Sequence, residues 1–493
     1  MKIFKSLMAM FLVAILIVPI IVLAVPDKPP GDSNGGPGGN NNSSNVTHIG
    51  ATTISSNTED TNKTYSSDVS EQNAILVSGG TSTIKKPTIK KTGSPSSHND
   101  NYDFYGINAA IFVDAGATLN IKGGSITTDA SYGNAVFAYS TGIINISDAI
   151  INTSSNNSGG FMVTGGGTLN ANSCTVKTLG NSSAAIRSDR GGGNLTVNKG
   201  TYETSGVGSP VIYSTADITV NDAKLIANKS EGVVVEGKNS VTLNNVKMDV
   251  TNTELNGNSE TYKAIFIYQS MSGDADEGTS TFTAKDSKIT NNKGDIFFVT
   301  NTNTVITLEN NTITNNDSSG AFLKATTAKW GTSGSNGGNV TLNMTNQKAS
   351  GDIIVDDIST LELTMKKKSI LVGAIDKENQ AKKVSLTMSS DSVLSLTADT
   401  YLDSLTNDDE TNSNIYSNGK YKLYVDGKEV SINSDTYDLS KTTKKTTSSN
   451  KKNTDKTNNN IYYVIGGVAL LIVISVITVI IVKRKKKKEK NKL

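Results

Sequence analysis

Two apolar residues flanking one polar residue recur at nearly constant spacing along most of the chain. The steps Leu119-x-Ile121, Ile144-x-Ile146, Leu169-x-Ala171, Leu195-x-Val197, Ile218-x-Val220 and Val241-x-Leu243 have first members 25, 25, 26, 23 and 23 residues apart. Phe282-x-Ala284, Ile306-x-Leu308, Val340-x-Leu342, Leu361-x-Leu363 and Val384-x-Leu386 continue the series, and Ile84 begins it. The longer intervals before Phe282 and Val340 read as loop insertions. Self-similarity at this period marks a solenoid, whose units bury their apolar faces only against their neighbours.

Each unit carries a second apolar stretch upstream, such as Ala110-Ile111-Phe112-Val113, and a third downstream, such as Ala149-Ile150-Ile151. Gly, Asn, Asp and Ser separate them. Three short strands per period predict a three-sided parallel β-helix of about twelve rungs, right-handed as parallel crossovers overwhelmingly are. Glycines such as Gly116, Gly165 and Gly232 fall where the coil turns a corner. No helical periodicity appears between the two terminal segments. The fold class is therefore all-β.

The polar residue of each step, from Asn120, Asn145 and Asn170 through Thr196, Thr219 and Thr242 to Thr341 and Glu362, points outward and stacks into a column. A second column holds Ser147, Asn172, Asn198, Asn221, Asn244 and Asn343. Such a face suits either solvent or a ligand with regularly spaced hydroxyls, as in a glycan or ice. Lys285 and Glu362 interrupt the regularity an ice-binding surface needs.

The ends add a location. Residues 1–24 read as a secretory signal peptide, or as an uncleaved anchor, with Lys2 and Lys5 ahead of an apolar run. Residues 461–482 are long enough to span a bilayer as a transmembrane helix, and the basic residues 483–493 place the C-terminus inside. Between lie a flexible N-terminal segment and possible cap (25–72), the β-helix (73–406), a C-terminal β cap (407–440) and a Lys/Thr/Asn-rich stalk (441–460). This organisation predicts a single-pass protein with its ectodomain at the cell surface.

Charge supports that picture once the ends are set aside. The totals are 47 Lys/Arg and 45 Asp/Glu. Without the eight cations and one Glu of 483–493, the six Lys and one Asp of 441–460 and the two signal lysines, 31 basic and 43 acidic residues remain. A body near −12 argues against nucleic acid as a partner.

Candidates for chemistry are few. Cys174 is the single cysteine, which excludes an intrachain disulfide and suits a small buried position. His48 and His98 both precede the regular repeat, which disfavours a His-based triad or a zinc site. Asp274, Asp276 and Glu277 cluster in a loop insertion and suit either calcium or solvent; calcium is the one cofactor the sequence suggests. Asp356 and Asp357 would point to opposite faces if they lay in a strand. Arg187, Asp189 and Arg190 beside Gly191 would either grip a sugar carboxylate through a bidentate guanidinium or pair with one another at the corner. Trp330, the single tryptophan, would either stack on a sugar or cover an end of the core.

Residues 116–124 (Gly-Ala-Thr-Leu-Asn-Ile-Lys-Gly-Gly), 184–193 (Ala-Ala-Ile-Arg-Ser-Asp-Arg-Gly-Gly-Gly) and 268–274 (Tyr-Gln-Ser-Met-Ser-Gly-Asp) resemble the adhesin-like surface proteins with right-handed parallel β-helix repeats of gut methanogenic archaea and some bacteria. The resemblance covers residues 73–406. It implies surface location and adhesion, without supplying a catalytic site; the expected role is a non-enzymatic rod that binds glycans or molecules of a host or neighbouring cell, or serves in the cell envelope. The alternative is a membrane-tethered polysaccharide lyase or hydrolase on a pectate-lyase-like β-helix. The Asn-Thr-Asp and Gly-His-Gly signatures of polygalacturonases are missing, which counts against a hydrolase; lyases working with Arg and Ca²⁺ are less affected. Fold alone does not choose between these functions.

Overall fold

A computed structural model describes residues 46–438 except Asn258. The signal peptide, stalk, membrane segment and basic tail assigned from sequence lie outside these residues. Among the described residues, no helix is long and apolar enough to cross a membrane.

The chain winds as a three-sided parallel β-solenoid of about 15 turns. Most turns give one strand to each side, because short period-two segments are separated by corner residues, and the last turns continue in separate sheets of four and three strands. The first side is a 12-stranded sheet running from Gly50–Ile54 to Ile353–Val355. The second is a 14-stranded sheet from Glu59–Thr61 to Ser404–Asn407, and the third has 10 strands, from Thr64–Ser67 to Thr312–Asn315. Thirteen steps of about 4.8 Å make the second sheet roughly 62 Å long. The coil starts at Gly50, earlier than position 73, since Gly50–Ile54 already pairs in register with Asn73–Val77. It ends in an antiparallel hairpin, Leu423–Val425 with Lys428–Val430, within the region assigned to a C-terminal β cap.

The apolar pairs of the repeat fill the interior. Leu119, Ile144, Leu169, Leu195, Ile218 and Val241 stack in one buried row. Cys174 is buried just before the strand Thr175–Thr178, and burial raises its thiol pKa above the ordinary value. At two corners after the third side, successive turns approach so closely that only glycine fits. A Cβ on Gly180 would lie 1.9 Å from the Ser155 carbonyl oxygen, and one on Gly206 would lie 1.8 Å from that of Gly180.

Outside, the predicted polar columns exist and are knitted together. The Asn145 side chain donates to Asn120 at 2.9 Å, and that of Asn170 donates to Asn145 at 3.0 Å. Asn198, Asn221 and Asn244 form a second ladder with two bonds of 2.9 Å. One alignment differs from the sequence reading. Ile306 pairs with Leu342 and Leu308 with Met344, so Val340 lies opposite Thr304. Thr307 therefore continues through Asn343, Thr364, Thr387 and Thr406, while Thr341 and Glu362 belong to the neighbouring column. Preceding turns carry Ser280 and Thr304 at the extra inward position, where later turns carry Val340, Leu361 and Val384. A two-residue slip keeps every side chain on its face, so alternation alone does not detect it.

The first sheet departs from the simple scheme because its outer face is also apolar. Leu76, Phe112, Phe137 and Met162 stack outward, yet all are buried. Residues 94–110 cover them. This insertion carries the short helix α1 (Asp100–Phe104), capped by Asn99, and is tied down by Asn73, whose side chain donates to the Gly106 and Ala109 carbonyls at 3.0 and 2.7 Å. His48 stacks on Phe112 with ring centroids 3.7 Å apart. Coverage on both faces explains why these strands read as continuous apolar runs.

Candidate functional site

The column that begins with Leu76 changes character halfway along the first sheet. After Met162 it continues through Arg187, Tyr213, Val234 and Phe266. Insertions border this stretch: residues 94–110 on one side, 251–262 and 326–337 on others, and 269–278 near its edge. Together they leave a cleft of about 330 Å³. Its floor is Arg187, Tyr213, Val234 and Phe266; Asp103, Asn256, Tyr268 and Trp330 stand around it.

Hydrogen bonds fix the walls. The Asn336 side chain donates to the carbonyls of Ala328 and Trp330 at 2.7 and 2.8 Å, which shapes the turn presenting the indole. Lys329 donates to the Gly257 carbonyl at 3.0 Å and so joins two insertions. The Trp330 ring lies 5.5 Å from Tyr268, which stacks on Phe266 at 4.4 Å with an interplanar angle of 12°. Three aromatic rings thus line one side of the cleft, and Trp330 is half-buried.

Beneath them runs a polar chain. Arg187 Nη2 lies 2.5 Å from Asp189 Oδ2. Arg190 donates from Nε and Nη2 to Asp274 Oδ1 at 3.2 and 2.8 Å, and its guanidinium lies over the Phe104 ring of α1. Asp274 accepts from Ser272 at 2.9 Å, Ser272 and Ser270 are 2.7 Å apart, and Ser270 donates to Glu236. Tyr213 and Tyr268 also donate to Glu236. Burial raises the Glu236 carboxyl above its ordinary range against the bonds from Ser270 and Tyr213; Asp274 and Asp189 add to the rise. Burial likewise pushes Asp189 up to about 6, with Arg187 opposing and Asp274 and Asp103 reinforcing. Burial disfavours the charged Arg187, but Asp189 and Asp103 outweigh it and hold the guanidinium protonated. Farther along, buried Lys263 pairs with Glu231 at 3.3 Å and lies over Phe266.

The structure brings Arg187, Asp189, Arg190, Trp330 and Asp274 to one region, although the sequence offers them as separate candidates. The ion pairs at the corner are intramolecular: Asp189 engages Arg187 through Nη2, and Asp274 engages Arg190 through Nε and Nη2. The acidic trio is divided. Asp274 turns to Arg190, whereas Asp276, 78% exposed, pairs with Lys238 at 2.9 Å and Glu277 is exposed. Among the described residues, no group of three or more His, Cys, Asp or Glu is placed to hold a metal ion. Asp356 lies in a corner turn, where it accepts from the Thr327 amide at 2.6 Å.

Tyr213, Phe266, Tyr268 and Glu236 were not singled out from sequence. The signal was present in the outward parity of Tyr213 and Phe266 within strands that alternation assigns to the coil, but only the insertions decide that those rings border a cleft. No protein-family model, no curated protein and no solved structure matches the chain.

Proposed function

We propose that this protein is a non-enzymatic, surface-displayed rod that binds glycans in the cleft over its first sheet. The observation carrying the reading is the aromatic wall of Phe266, Tyr268 and Trp330 beside short polar groups, Asn157, Ser182 and Asn256, at the same opening. Aromatic faces pack on the C–H faces of pyranose rings, and small amides and hydroxyls match sugar hydroxyls. Around the cleft Glu236, Asp189, Asp274, Glu231 and Asp103 each meet a side chain of the chain itself. That commitment favours holding a ligand over the proton transfers a hydrolase or lyase requires. Surface display rests on the sequence of residues 1–24 and 461–482, and adhesion follows from a long rod carrying its binding site partway along its side.

Purified full-length protein in detergent, applied to a glycan array, tests the reading. Trp330→Ala is expected to weaken binding roughly tenfold with an unchanged circular dichroism spectrum. An array with no specific binding, or an arrayed polysaccharide cleaved by the protein, would overturn it.

A further inference from the structure

The charges around the cleft narrow the kind of sugar it takes, an inference that rests on the glycan reading above. Three cations there each face an acid of the same chain: Arg187 faces Asp189, Arg190 faces Asp274, and Lys263 faces Glu231. Asp103 stands at the opening as a further carboxylate; its own contact is His98 Nε2 at 2.9 Å, on the solvent side. Glu236 lies behind Tyr213 and Tyr268 and receives only neutral hydroxyl donors. Lys329, at the rim, is bonded to the Gly257 carbonyl and lies beside Trp330. Carboxylates therefore outnumber cations around the opening.

A ligand carboxylate or sulfate entering here would lose its water, meet guanidinium and ammonium groups that are already paired, and approach Asp103. In a partly dehydrated cleft, that repulsion is not offset by any new ion pair. Uncharged hydroxyls and acetamides escape the cost, since Asn157 and Ser182 at the opening offer them both donors and acceptors. We infer that the cleft selects neutral sugars, hexose and N-acetylhexosamine units, and excludes uronic, sialic and sulfated ones.

The test compares full-length protein with the variant Asp103→Asn, which keeps the shape and removes the charge. Titration calorimetry would use neutral oligosaccharides and their uronate- or sulfate-bearing counterparts of equal length. The expected result is a preference of about tenfold or more for neutral ligands, narrowed severalfold in the variant. Acidic ligands binding as well as neutral ones would overturn the inference and leave glycan binding standing. A preference unchanged in Asp103→Asn would overturn its electrostatic origin. Absence of binding to either set would overturn the glycan reading itself, and this inference with it.

Discussion

Arg190 Nη2 lies 2.8 Å from Asp274 Oδ1, joining a corner of the coil to an insertion 84 positions away. Both side chains are partly sheltered, at 31% and 17% exposure. The pair is one of several polar ties that hold the insertion, beside the bond from Ser270 to Glu236 and the pair of Lys238 with Asp276.

Asp274→Ala should therefore loosen residues 269–278 more than the coil. Residual solvent access limits the expected loss to about 1–2 kcal/mol of global stability. Hydrogen exchange is the sharper readout: amides of 269–278 should lose protection while those of the strand Ile212–Ser214 keep theirs. Equal loss in both segments would show that the tie acts on the whole coil.

Asp189 should leave a mark on the pH dependence of stability. Its folded carboxyl titrates near 6 against an ordinary 3.8, so the folded state holds the proton more tightly. The stabilisation from proton uptake is complete below pH 3.8 and is lost as pH rises through about 6, amounting to on the order of 3 kcal/mol. Asp189→Asn cannot titrate. Asp103 and Asp274 act in both proteins, so the difference between the two proteins isolates this proton. Urea denaturation from pH 4 to 7 should show the advantage of the natural protein over the variant shrinking as pH rises. A constant difference would remove the assignment.

Gly206 gives a stability test independent of any ligand. Alanine there would place its Cβ 1.8 Å from the Gly180 carbonyl oxygen, a backbone atom that can move only if the turn moves. A loss of about 3 kcal/mol or more is expected. Gly257→Ala, where a Cβ meets nothing within 4 Å, serves as the control and should be nearly neutral. Similar melting temperatures for the two variants would contradict the close stacking of the corners.

Much of this protein is legible in one dimension. Alternation placed Leu119 and Ile121 inside and Asn120 outside because adjacent side chains in a strand point to opposite faces, and the constant period stacked each turn on the last. Cys174 was readable for the same reason. What alternation does not carry is register or distance. The slip that aligns Ile306 with Leu342 and Leu308 with Met344 preserves parity, so alternation leaves it open. Nor does periodicity report which insertions fold back. The sequence determined the coil and its faces through local, repeating geometry. Only tertiary structure brought Trp330 to Tyr268 and Asp274 to Arg190, because those contacts depend on non-repeating loops whose positions follow from long-range hydrogen bonds and ion pairs.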